Sequence, residues 1–167
     1  MANADSNTFA HPEIESAITA LLKTPLGSTH DLFQVLDNCQ SYVDALIEND
    51  NNTECMALCG RLLAGLEVLK AVLREPLPDH LIEKLTTTDT NDYRCPLPTD
   101  SETLREYCTA LTIVLLNQQN SAELTAHITG ILFELTNLLV EDLKAPRFIN
   151  TDAGLTMISG EAASGIH

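Results

Sequence analysis

The strongest constraint on this chain is a run of apolar residues spaced alternately by fours and threes: Cys55, Cys59, Leu62, Leu66, Leu69 and Leu73. That spacing returns to one side of an α-helix, whereas a half-buried strand would repeat every second residue. It predicts a helix over about 53–74 with a coiled-coil-like seam. Arg74 falls in its last turn, where a cation is favoured by the helix dipole. Pro76 and Pro78 end it and seed a short helix over 79–85.

The same period recurs on both sides. His11-Pro12-Glu13 reads as a helix start, because proline suits the first helical position and an early carboxylate complements the dipole. Ile14, Ile18, Leu21 and Leu22 follow as one stripe until Pro25 and Gly27. A second helix, entered near Ser28 and Asp31 and running to Glu48, carries Leu32, Val35, Leu36, Cys39, Tyr42, Val43 and Leu46 on one side. Asp37, Asp44 and Glu48 lie on another, an acidic exterior. Thr99 with Glu102, and Asn120 with Glu123, match the capping-box spacing. Each precedes an apolar run: Leu104, Tyr107, Cys108, Leu111, Val114 and Leu115, then Leu124, Ile128, Ile131, Leu135, Leu138 and Leu143, closed by Pro146.

The reading is therefore all-α: a compact antiparallel bundle of four long helices with two short accessory helices and an irregular C-terminal tail. Residues 1–10 are expected to be a flexible N-terminus, 11–146 one bundle domain and 147–167 the tail. The bundle could comprise two helical hairpins, 28–76 and 99–146. Laid over each other, the hairpins pair Gly60 with Gly130 and Pro76 with Pro146. The rest of the match is what any two amphipathic hairpins give, so it is read as coincidence rather than duplication. Ala57, Gly60 and Ala64 form a strip of small residues, and a mid-helix glycine costs on the order of 1 kcal/mol relative to alanine. Close approach of helices at Gly60 and Gly130 would explain tolerating that cost.

Composition agrees with a helical core and narrows the function. Aromatic residues are 4% with no Trp, so aliphatic side chains fill the interior. The formal charge is −15, with 24 Asp and Glu against 9 Lys and Arg. A field of that sign repels nucleic-acid phosphates and anionic membranes and suits a basic partner protein. The first residues carry neither the basic nor the apolar region of a secretory signal, and no apolar run approaches the roughly 20 residues of a membrane span. Five Cys residues without a framework pattern fit free thiols in a reducing compartment, hence a cytoplasmic location.

Catalytic and cofactor signatures do not emerge. Cys55 and Cys59 stand at i and i+4, and Cys39 and Cys108 lie on apolar faces of neighbouring helices, so four sulfurs could meet around zinc or copper(I). No Cys-x-x-Cys knuckle supports that, and small buried hydrophobes are the simpler reading. His127 after Glu123, and His80 after Asp79, lack the Glu-x-x-His spacing of a dimetal bundle. Ser28, Ser101 and Ser121 fall at helix caps, and neither a nucleophile elbow nor a phosphate loop is present.

The sequence thus points to a non-enzymatic protein-binding module without cofactor or metal: an acidic cytoplasmic adaptor, inhibitor or immunity-type protein. Asp37, Asp44 and Glu48 are the candidate partner-binding residues. Alternatives are an acidic nucleic-acid mimic that blocks a DNA-binding protein, and a thiol- or metal-binding bundle. The fifth helix is apolar almost all round at 110–116, and the sixth adds Phe133 and Val140 outside its stripe. Ile113, Leu116, Phe133 and Val140 are therefore the candidate contacts of a homodimer.

Overall fold

The computed structural model describes residues 16–27, 29–92, 97 and 99–158. Its elements are α1 (Ala17–Lys23), α2 (Leu32–Ile47), α3 (Asn52–Val72), α4 (Asp79–Lys84), β1 (Thr86–Thr87), α5 (Ser101–Leu116), α6 (Ala122–Lys144), β2 (Phe148–Thr151) and β3 (Gly154–Met157). The fold is an all-α bundle: α2, α3, α5 and α6 run 16 to 23 residues each, and α1 and α4 are single short pieces. The 1–10 segment and the proline-led helix start at 11–13 lie outside the described residues.

Side-chain caps set the start of every described α-helix but α4, which begins after Pro78 without one. Ser16 accepts from the Thr19 N–H, Asn51 from that of Glu54, and Asp31 forms a full capping box with Gln34. For α5 and α6 the expected box residues are each one position early. Asp100 and Ser121 take the role, accepting from Thr103 and Leu124, and the reciprocal half of the box is not formed.

α2 packs on α3 and α6, and α5 packs on α3 and α6, giving the square order α2, α3, α5, α6. Leu46, Cys55, Leu115 and Ala122 meet at one end, so the four helices alternate in direction. The core is a column of Leu, Val and Ile with Tyr42, and the α3 seam enters it as expected at Cys59, Leu62, Leu66 and Leu69.

On α6 the buried register differs from the expected stripe. Ile128, Leu132, Thr136, Leu139, Val140 and Leu143 face inward, while Leu124, Ile131 and Leu138 are exposed. This helix carries two apolar stripes, and periodicity does not choose between them. Polar contacts on its two flanks pin its rotation: Gln40 of α2 donates to Asn137 at 2.9 Å, and Ser101 of α5 donates to Asp142 at 2.6 Å. α5 is likewise rotated, burying Arg105 and Thr112 and exposing Tyr107 and Val114. Arg105 is held by Glu102 at 2.9 Å, and Thr112 donates to the Cys108 carbonyl at 2.7 Å.

Two further expectations are corrected. The chain after Arg147, read as irregular, forms a β-hairpin up to Met157 whose first strand lies parallel to β1. Phe148, Ile149 and Thr151 favour extended backbone, and Gly154 takes a φ of 107° at the turn exit. Gly60 and Gly130 are not close-approach points: a Cβ at either would meet nothing within 4 Å. The tight position is Gly65, where a Cβ would sit 2.8 Å from Cys39 Sγ, and there α2 and α3 come together.

Candidate functional site

Two surfaces stand out, and the bundle geometry builds both. The first is the outer side of the α5–α6 hairpin. Tyr107 and Val114 are two helical turns apart on α5, and Leu124, Ile131 and Leu138 repeat at the same interval along α6. All five are exposed, Tyr107 by 53% and Ile131 by 52%. The opposite flank of α5 is committed to α3, where Arg105 and Glu102 feel the charges of Glu67, Lys70 and Arg74. The opposite flank of α6 is committed to α2 through Asn137. Helical arithmetic then turns both exposed rows toward the groove between the two helices, as one apolar strip. Glu106, Glu123 and Glu134 are exposed beside it.

The residues expected to mediate self-association do not make up this strip. Ile113 is exposed, Leu116 and Phe133 are half-buried against the core, and Val140 is only 4% exposed, so Val140 is a core residue. The acidic row on α2 is exposed at Asp37, Asp44 and Glu48, but Asp37 is paired with Lys144 of α6. Two carboxylates of that row are left without a charged partner among the described residues. The signal for the strip was in the sequence as the surplus of apolar residues on α5 and α6. Which of them face outward depended on helix rotation, which the sequence alone did not fix.

The second surface is a pocket of about 560 Å³ at the end where α2 and α5 finish and α3 and α6 begin. Leu46, Ile47, Met56 and Leu115 supply apolar walls, with Cys55 and Cys59 beside them. Asn49, Asp50, Asn52 and Asn120 ring the mouth. The pocket exists because the inward register of α6 changes chemistry at its start. Leu132 and Leu139 are buried, yet the position one heptad earlier is Thr125, which is exposed. Thr129, one heptad before the buried Thr136, adds a second hydroxyl to the lining.

The four described thiols do not form one cluster. Cys39 and Cys108 lie together in the middle of the bundle, where Thr136 donates toward Cys108 Sγ at 3.7 Å. Cys55 and Cys59 sit at the pocket end, the Cys55 thiol 3.1 Å from the Asn49 carbonyl. Burial pushes the Cys39 thiol up to about 12, with the neighbouring Cys108 adding to it, and Cys59 up to about 11. Cys55 is raised by burial and by the carboxylates of Asp50 and Glu54. All are thus held as neutral thiols at neutral pH, unlike the thiolates that attack electrophiles or bind metals. Among the described residues no three His, Cys, Asp or Glu side chains stand together as metal ligands. His80 bonds Asp31 at 2.9 Å, while His127 is exposed on α6.

No helix among the described residues is long and apolar enough to cross a membrane. No family model, curated protein or solved structure matches the chain.

Proposed function

We propose that this chain is a non-enzymatic protein-binding module, an adaptor or inhibitor, that receives a basic amphipathic helix of a partner protein along the outer side of α5 and α6. The observation that carries the reading is the exposed row of Tyr107, Val114, Leu124, Ile131 and Leu138 with Glu106, Glu123 and Glu134 beside it. An apolar row at heptad spacing matches the anchors of a docking helix, and flanking carboxylates select a partner with Lys or Arg on its rim. A second copy of this chain suits the strip less well, because it would bring the same carboxylates against themselves on a molecule of charge −15. The free thiols Cys39, Cys55, Cys59 and Cys108 suit a cytoplasmic setting.

Calorimetric titration with a synthetic amphipathic peptide of Leu and Lys tests the reading. The wild type should bind it, more weakly as salt rises, and Ile131→Ser with Leu138→Ser should cost about tenfold or more in affinity. Asp44→Asn with Glu48→Gln should leave binding nearly unchanged. If the second pair abolishes binding and the first does not, the α2 acidic row is the docking face and the strip is not. Light scattering provides the other check. A wild-type dimer that Ile131→Ser with Leu138→Ser splits without unfolding would give the strip to a second copy.

A further inference from the structure

The end pocket is separate from the strip, and its construction speaks for a different kind of ligand. At about 560 Å³ it falls within the roughly 300–1,000 Å³ typical of small-molecule sites. Its walls combine aliphatic, thioether and neutral thiol groups with the hydroxyls of Thr125 and Thr129. Its rim is pinned in place. Asn49 accepts from the Asn51 N–H at 2.8 Å and donates to Glu54 at 2.8 Å, and Asn120 donates to the Val114 carbonyl at 3.2 Å. A preformed rim of carboxamides reduces the ordering cost of binding and offers both donors and acceptors.

Charge narrows the ligand class. Among the described residues, Asp50 is the only one with an ordinarily charged side chain along the lining, and no described Lys, Arg or His lines it. An anion would meet a carboxylate and a strongly negative molecule with no compensating cation. We infer that this pocket is a binding site for an uncharged, predominantly apolar small molecule, whose body lies against Leu46, Met56 and Leu115 and whose polar end meets the Asn and Thr groups. The heptad break supports the same conclusion. Leu at 125 would continue the buried row of Leu132 and Leu139, so its threonine leaves a space that a folding-only sequence would fill.

Nile red, an uncharged apolar fluorophore, is the probe. Titrated into the full chain it should show saturable one-to-one binding with a blue-shifted emission, while anilinonaphthalene sulfonate, which is anionic, should bind at least about tenfold more weakly. Thr125→Leu with Thr129→Leu should abolish Nile red binding while keeping the helical spectrum and raising Tm. Ile131→Ser with Leu138→Ser should retain it, which separates the pocket from the docking strip. In the unaltered protein, saturating Nile red should slow alkylation of Cys55 by an uncharged maleimide severalfold; this measurement decides the matter if the leucine variant does not fold. Absence of saturable binding, loss of binding in the Ile131 and Leu138 variant, or unchanged Cys55 alkylation would each overturn the assignment.

Discussion

At Gly60 an added Cβ meets no atom within 4 Å, whereas at Gly65, little more than one turn on, it would press on the sulfur of a buried cysteine at 2.8 Å. The two substitutions should therefore differ in sign. Gly60→Ala should raise unfolding free energy by about 0.5–1 kcal/mol through helix propensity alone, measured by urea denaturation. Gly65→Ala should lower it, and adding Cys39→Ala should recover most of the loss; additive effects would disprove the contact. Sequence favoured the wrong glycine for an understandable reason. Ala57, Gly60 and Ala64 form a visible strip, while Gly65 acquires meaning only from Cys39 on another helix. The thiols make a second residue-scale prediction. Their folded values lie above the ordinary 9.0, so the unfolded chain loses protons first as pH rises. Stability should be intact below about pH 9 and fall progressively toward pH 11–12, with a shallower fall in Cys39→Ala.

Among the elements, helix existence was legible and helix rotation was not. The fours-and-threes spacing of α3 has one solution, and its buried seam is the expected one at four of six positions, with Cys55 and Leu73 half-buried. α6 offers two stripes, and the choice is made by Gln40 and Ser101, polar residues on other helices that periodicity ignores. The buried Arg105, Thr112 and Thr136 were invisible for the same reason, since a polar residue reads as surface until its partner is known. The C-terminal hairpin was missed because its strands are four residues each and β3 is exposed throughout, leaving no alternation to read. α2 gives the prediction at this scale. Asp31 is pushed up by burial but pulled down further by the Gln34 N–H and by His80, leaving its carboxyl below the ordinary 3.8. Its stabilising effect is present above that value and lost as pH falls through the folded one. Asp31→Ala should cost about 1 kcal/mol at neutral pH, and its gap to the wild type should close in acid. A gap independent of pH would mean that the cap acts through packing instead.

For the whole molecule, net charge outweighs the ion pairs. Lys144 with Asp37, Arg105 with Glu102 and His80 with Asp31 are local, whereas the excess of carboxylates is distributed over the surface. Raising salt from about 20 to 300 mM should therefore raise Tm by screening repulsion, and a fall would mean that the pairs dominate. The opposed directions within α2–α3 and within α5–α6 were legible from their short connections, whereas the long link from α3 to α5 left their mutual direction open, and the square order brings α6 back beside α2. One consequence lies in the three-stranded sheet. Thr86 and Thr87 must wait for Phe148 and Ile149, which a ribosome delivers only after α5 and α6 have been made. The neighbouring pairs α2–α3 and α5–α6 can form from local contacts as they emerge. The parallel pairing of β1 with β2 is thus a long-range step of synthesis, a clasp that cannot close before the last long helix has been made.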